Sequence, residues 1–585
     1  MQAIKAEIIG HLEKVFIEIS KDYQTEIPSD YKIRLEYPPE YKFGDYSTPL
    51  AMESARYLKR NPREIAENII KELLKNEDFN EIVKGIKPEG PGFINFFLSE
   101  EYALKKMKEA ISVQRWINEM FPYKEEPSYI FEFVSANPTG PLNIVSARAA
   151  AVGDSICRLL GACGKKVHKE YYVNDYGNQI KLLGISLAYR FAQKNDIEVV
   201  LPEDCYQGEY LIKIIEAIVE IEILPDYIEN IPLCDDKQGF EKWAEKAGDF
   251  FSELAVNAIL ETHKSDLKDF RVEYDEFFSE KKLHGNGSVD RAFDALDANK
   301  ALYKKDGAWF FESAKYKDDK DRVVKRADGR PTYLLADIAY HKHKAERGYQ
   351  KIYDIWGPDH HGYIARMTAA MQAMGITTKP GVSFQVLIVQ QVNLLEEGKP
   401  VVMSKRLGKF QTMRDLIEKI PVDVCRYFFN MRSQNTPLDF DLELALTQSN
   451  QNPVYYIQYA HARIYSIFRE ASFDKEKQTA LYDLDKLKSE WLLLAKRGIL
   501  LNFLLRFPEV LKEISENLEI HRLSAYLYDV ASLFTNFYHE KENRILDKQK
   551  ENIQEAQLLL SLCALTADVI SFGLDILGIN APEKM

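Results

Sequence analysis

Cysteine is scarce and never paired: Cys157, Cys163, Cys205, Cys234, Cys425 and Cys563 are scattered through 585 residues without one Cys-x-x-Cys. That spacing excludes a zinc ribbon or disulfide framework and points to a reducing, cytoplasmic compartment. No run of about 18 uninterrupted apolar residues is present, and Met1 to Ser20 alternates charged with apolar residues, so no export signal or membrane span is expected. Positive charge is also in deficit, with 77 Lys plus Arg against 90 Asp plus Glu and a net charge of −13. Nothing global then favours nucleic acid, and any RNA contact must use local patches. One such patch is Arg56 to Arg63, four cations in eight residues beside Tyr57, which reads equally well as a solvated helix face. The pairs His341/His343 and His360/His361 lack His-Glu-x-x-His spacing, so no structural metal, zinc included, is expected. Neither repeats nor a sustained heptad seam occur, which favours a monomer.

What is present is apolar content of 46 %, enough to fill several cores, and the length calls for at least three domains. Residues 1–110 mix a helical pattern (Ile65, Ile69, Ile70, Leu73, Leu74) with the extended run Gly92 to Phe97, as in a small α+β domain. Residues 125–440 change grammar. Ile130 to Val134 is strand-like, Asn137-Pro138-Thr139-Gly140-Pro141 a turn, and Ala147 to Leu160 a helix, which together open a doubly wound nucleotide fold. Lys351 to Gly357, a helix through Met367, Met371 and Met374, and Phe384 to Val389 repeat the pattern, so the intervening stretch of about 190–300 reads as a helical insertion. Residues 445–585 carry long amphipathic patterns, Leu492 to Leu505 and Ala556 to Leu577, and little strand signal, which predicts an all-α domain.

Four constellations carry chemistry. Glu132-x-x-Ser135-Ala136-Asn137-Pro138-Thr139-Gly140-Pro141-Leu142 lies where a parallel strand gives way to a helix, the edge at which such sheets bind ligands, although the Pro-Gly run alone is equally a tight turn. Met403-Ser404-Lys405-Arg406-x-Gly408 brings a lysine and small donors suited to a triphosphate, or forms an exposed basic turn. Tyr333 and Asp337 stand four apart, so on a helix they share a face where phenol and carboxylate suit a guanidinium, or simply decorate a surface. Tyr455, Tyr459 and Arg463 repeat at the same spacing, a stripe that stacks on bases or lines a helix interface.

In this order these segments resemble arginyl-tRNA synthetases across nearly the whole chain, from Phe43-Gly44-Asp45-Tyr46-Ser47-Thr48 and Pro91 to Phe96 through Tyr172-Val173-Asn174-Asp175-Tyr176-Gly177-Asn178-Gln179, Asp328 to Asp337, Trp356 to Gly362 and Asn452 to Ile464 to Ala581-Pro582-Glu583. The resemblance implies an N-terminal domain that touches the tRNA elbow, a class I Rossmann-type catalytic domain and a helical anticodon-binding domain. It implies ATP-dependent activation of L-arginine with Mg²⁺, transfer to tRNA(Arg), and no bound organic cofactor. By that analogy Glu132, Ser135, Asn137 and Asp359 hold arginine, with Tyr333 and Asp337 on its guanidinium. Asn143, Ser146, Gly357, His360, Met403 and Lys405 take ATP, Lys405 and Ser404 serve catalysis, and Tyr455, Tyr459 and Arg463 meet tRNA. Two departures stand out. The family's His-x-Gly-His is Asn143-Ile144-Val145-Ser146 here, and Val402 replaces the first lysine of its Lys-Met-Ser-Lys. Asn143 and Ser146 still donate hydrogen bonds but supply no cation. An active synthetase and a catalytically silent, RNA-binding paralogue are therefore both weighed; an intact amino-acid pocket favours activity.

Overall fold

The computed structural model describes residues 3–585 apart from 27, 29, 111, 222–223, 233–236, 401–411 and 476–485. It divides into two compact units, one of Met1–Tyr123, Ala162–Gly164 and Thr447–Met585, the other of Lys124–Gly161 and Lys165–Leu446.

The second unit is built on five parallel strands: β1 (Lys124–Glu132), β2 (Lys165–Val173), β3 (Glu276–Ser279), β4 (Lys351–Trp356) and β5 (Ser383–Ile388). Their order is β5-β4-β1-β2-β3. The chain runs outward from β1 to β3 and then crosses back to start β4 on the other side of β1. Strand order thus reverses between β1 and β4, where a doubly wound sheet opens its ligand crevice. Ile130 and Phe131 are both fully buried although they face opposite sides, because helices cover both faces. Helix α1 (Ile144–Ala162) follows β1 and lies so close to it that a Cβ on Gly153 would stand 2.6 Å from the Phe133 ring. Helices α2 (Asn178–Lys194) and α3 (Lys237–Asp269) pack together beyond β2, and α4 (Tyr333–Glu346) leads into β4.

The strand β3 corrects the expected insertion. Residues 190–300 are not all inserted helix, since Glu276-Phe277-Phe278-Ser279 supplies a sheet strand beside β2. Four residues flanked by helical patterns give periodicity too little to register.

In the other unit a three-stranded antiparallel sheet (Tyr46–Thr48, Phe93–Leu98, Val83–Glu89) packs with helices Ile4–Asp22 and Pro62–Leu73. The basic run Arg56 to Arg63 is no single helix face. Helix Leu50–Leu58 ends at Lys59 (φ +51°), and Asn61 caps the next helix by accepting from the Arg63 amide, leaving all four cations exposed at the corner. The C-terminal part is helical, with Pro453–Glu470, Phe507–Asn517, His521–Tyr538 and Ile553–Ile576 as main elements. The expected helix Leu492 to Leu505 is broken by positive φ at Ala495 and Lys496 into a 3₁₀ turn and helix Arg497–Leu504. By length and composition Ile553–Ile576 is apolar enough to cross a membrane, yet it is the buried core of this bundle, so its hydrophobicity is already satisfied. Buried Glu509 joins the two ends of the chain, accepting from the Lys5 amide (2.7 Å) and the hydroxyls of Tyr37 (2.7 Å) and Tyr46 (3.0 Å).

Candidate active site

The chain leaves β1 through an unfavourable turn. Val134 (φ +69°) and Ser135 (φ +41°) both lie in the left-handed region, where a β-branched residue costs about 1–3 kcal/mol. Neighbouring polar groups hold it there. The Tyr172 amide donates to Ser135 Oγ (3.1 Å), the Tyr274 hydroxyl to the Phe133 carbonyl (3.1 Å), and the Tyr210 hydroxyl to the Thr139 carbonyl. His263 Nε2 lies 2.7 Å from the Gly140 carbonyl and Nδ1 3.0 Å from the Tyr171 hydroxyl. Burial lowers the His263 pKa; the neutral ring donates from Nε2 to the Gly140 carbonyl, while the single proton of the Tyr171 hydroxyl is shared between His263 Nδ1 and the Ala136 carbonyl, 3.0 Å from each.

The turn delivers Asn137, whose amide donates to Gln179 Oε1 (2.7 Å), to a cavity of about 300 Å³. Asn137, Asn174, Tyr176 and Gln179 line one part of it; Glu280, Tyr333 and Asp337 line the rest. Tyr333 and Asp337 sit one turn apart on α4, as their spacing predicts. Burial, then the carboxylates of Asp337 and Asp175, push Glu280 up to about 8. Burial raises Asp337 as well, against the Tyr363 hydroxyl that donates to its Oδ2 at 2.6 Å. Among the described residues no lysine or arginine pairs with either carboxylate. Two acidic groups and a phenol around one cavity form a receptor that an arriving cation with several donors would ionise and pair with.

Glu132 is not on that cavity. Its side chain leaves β1 on the same face as Ile130, in register with Asp354 on β4 and Glu170 on β2. The buried Lys344 ammonium bonds Glu132 Oε2 (2.5 Å) and Asp354 Oδ1 (2.7 Å). His341 Nε2 meets Asp354 Oδ2 (2.5 Å), while Tyr340 and Arg347 donate to Glu170, each at 2.6 Å. Burial would raise Asp354 and Glu170, but the Lys344 and His341 charges hold Asp354 down at about 2, and His168, its Nε2 3.5 Å from the carboxylate, with Lys344 and Arg347 holds Glu170 equally low. Glu132, His341 and Asp354 have metal-ligand spacing, as do His168, Glu170 and Glu276. Lys344 already fills the cation position in the first and Arg347 in the second, so neither suits a resident metal ion.

Asn143 caps α1, its Oδ1 accepting from the Ser146 amide (2.8 Å) and hydroxyl (3.1 Å). Its backbone also bridges to Thr412, and the Met413 amide donates to the Leu142 carbonyl (2.8 Å). Met403, Ser404 and Lys405 lie outside the described residues; Thr412, just past that segment, stands beside Asn143. Gly357 opens the 3₁₀ turn Pro358–Tyr363 after β4, on which Asp359 and His360 are exposed. Asp359 does not line the cavity, whereas Tyr363 at the end of the same turn reaches Asp337. The residues that motif reading passed over are Glu280, Tyr363, Asn174 and Gln179. The last two lie in the distinctive run Tyr172 to Gln179, but Glu280 follows a four-residue strand and belongs to no motif.

In the other unit Tyr455 and Tyr459 stack nearly parallel, centroids 6.5 Å apart, beside an open surface lined by Gln448 to Gln451. Arg463 on the same helix donates to the Tyr538 hydroxyl and lies over that ring at 4.9 Å. Tyr459 remains exposed.

Three family models tile the chain: arginyl tRNA synthetase N-terminal domain over residues 2–98, tRNA synthetases class I (R), catalytic domain, over 117–421, and DALR anticodon binding domain over 457–585. The arginine–tRNA ligase of Leptospira biflexa is 43 % identical over all of this chain and 98 % of its own length. That of Bacillus subtilis is 41 % identical over 96 % of this chain and 95 % of its own. The solved Thermus thermophilus arginyl-tRNA synthetase shares the fold at a TM-score of 0.72, covering 99 % of this chain and 100 % of its own, with 20 % identity. Full-length identity above 40 %, collinear domains and a cavity with two acidic groups beyond the C-terminal ends of β1, β2 and β3 agree, and the chain belongs to the class I arginyl-tRNA synthetase family.

Proposed function

We propose that this chain is an arginine–tRNA ligase, in which the arginine carboxylate attacks the α-phosphorus of ATP and expels diphosphate. The terminal ribose hydroxyl of tRNA(Arg) then attacks the arginyl carbonyl, and AMP leaves. The observation that carries the reading is the cavity of Glu280, Asp337 and Tyr333, whose two acidic groups pair with no lysine or arginine among the described residues. Asp337 and Glu280 receive the guanidinium donors, Tyr333 flanks them, and Asn137 with Ser135 and Gln179 faces the amino-acid backbone. Arginine so held leaves its carboxylate toward the C-terminal ends of β1 and β4, where helix α1 offers its N-terminal amides to phosphate.

On the nucleotide side Asn143, Ser146, Gly357 and His360 border ATP, taken as its Mg²⁺ complex because the buried acidic clusters already hold Lys344 and Arg347. Lys405, with Ser404 and Met403, supplies the cation that stabilises charge on the departing diphosphate. Residues 1–110 meet the tRNA elbow, 125–440 catalyse and 445–585 read the anticodon, with Tyr455, Tyr459 and Arg463 among the contacts. The enzyme acts as a cytoplasmic monomer. Steady-state aminoacylation with purified protein, ATP, each amino acid and tRNA tests the reading: charging by arginine alone supports it, and tRNA binding without charging overturns it. Diphosphate exchange with and without tRNA reports whether activation needs bound tRNA, as we expect.

A further inference from the structure

We propose that Tyr363 is a positioning residue for arginine: its phenol, on the turn after β4, holds the Asp337 carboxylate of α4 in the orientation that receives the guanidinium. The proposal rests on reading the cavity as the arginine site. Tyr363 has one proton to donate and spends it on Asp337 Oδ2 at 2.6 Å, the short range of a hydrogen bond to a charged oxygen. The second carboxylate oxygen is left for a ligand. The ring is itself fixed, with Trp356 edge-on at 6.0 Å and the Arg366 guanidinium 4.6 Å from its centroid. Burial and the neighbouring Asp337 charge raise the Tyr363 pKa, so the phenol stays a donor at any working pH.

The consequence is a connection that neither motif reveals. The turn Pro358–Tyr363 carries exposed His360 in its middle and the residue that sets Asp337 at its end. A displacement of the turn by nucleotide would therefore act directly on the guanidinium carboxylate. Other groups around Asp337 are Glu280 beyond β3, Tyr172 on β2, His341 on α4 itself, Asp354 on β4 and His360 on the turn. The direct hydrogen bond to the carboxylate comes instead from Tyr363.

Tyr363→Phe removes only the phenol oxygen. Losing a hydrogen bond to a charged acceptor should raise the KM for arginine about tenfold, with kcat and the KM for ATP nearly unchanged and the melting temperature preserved. Because the phenol favours the ionised carboxyl, the acid limb of the kcat/KM profile for arginine should also move to higher pH. In an Asp337→Asn background the same substitution should have no further effect. An arginine KM equal to wild type, an equal rise for ATP, an unmoved acid limb, or the same loss in the Asp337→Asn background would each overturn the role. Wild-type protein that fails to charge arginine would instead overturn the functional reading, so the two failures are separable.

Discussion

Asp337 and Glu280 share a cavity but arrive from distant parts of the chain, and each makes a different prediction. Asp337→Ala leaves a bound guanidinium without a partner already preset by Tyr363. Breaking such a buried pair costs about 3–5 kcal/mol, so the KM for arginine should rise by about 100-fold or more while ATP binding persists; unchanged arginine kinetics would remove Asp337 from the site. Glu280, pushed up to about 8, carries a proton at neutral pH when the cavity is empty. An arriving cation favours its ionised form, so arginine binding should release a proton below about pH 8 and weaken as pH falls. Titration calorimetry in two buffers of different ionisation heat checks this, and Glu280→Gln should abolish the buffer dependence. The sign for stability is opposite to that of a paired acid: a folded pKa above the unfolded one means Glu280 costs the empty enzyme stability as pH rises from about 4.5 toward 8. Asn143 bears on the altered signature. Because its Oδ1 already accepts from both the Ser146 amide and hydroxyl, Asn143→His should remove a helix cap worth about 1 kcal/mol. Lower kcat is expected, and a large gain would mean that the native residue impairs the enzyme.

Among the elements, close approach of backbones explains what a hydrophobic pattern alone leaves open. Helices α2 and α3 meet at Gly184 and Gly248, where a Cβ on Gly184 would stand 2.0 Å from the Gly248 carbonyl oxygen. Gly184→Ala must push the helices apart, and overpacking of this kind costs about 1–3 kcal/mol; a denaturant midpoint equal to wild type would refute the contact. The amphipathic periods made Pro62–Leu73, α1 and the C-terminal bundle legible in sequence, and compact apolar runs did so for β4 and the end of β1, which stops at Glu132 where the run continued to Val134. They missed β3, which is too short to alternate, and the interruption at Ala495 and Lys496, where left-handed backbone breaks a continuous apolar pattern.

For the whole molecule, the ion network across β4, β1 and β2 sets the acid limit. Asp354 and Glu170, each held near 2, contribute stability above the ordinary carboxylate range and lose it as pH falls through about 4 toward 2. Lys344→Met leaves Glu132 and Asp354 facing one another without their shared ammonium, with His341 remaining on Asp354 Oδ2. A loss of about 3–5 kcal/mol and acid unfolding at higher pH, followed by circular dichroism, are expected.

The sequence by itself determined the class of each region, the strand-turn-helix entry to the sheet, the shared helix face of Tyr333 and Asp337, and the family, because periodicity and collinear motifs are local properties of a chain. Only the tertiary structure decided what Glu132 does. Strand alternation turned it toward Lys344, away from the cavity, and Glu280 arrived there from about 140 residues away. The joining of both chain ends at Glu509 and the hold of Tyr363 on Asp337 were equally invisible, since burial and charge pairing depend on which distant strands become neighbours.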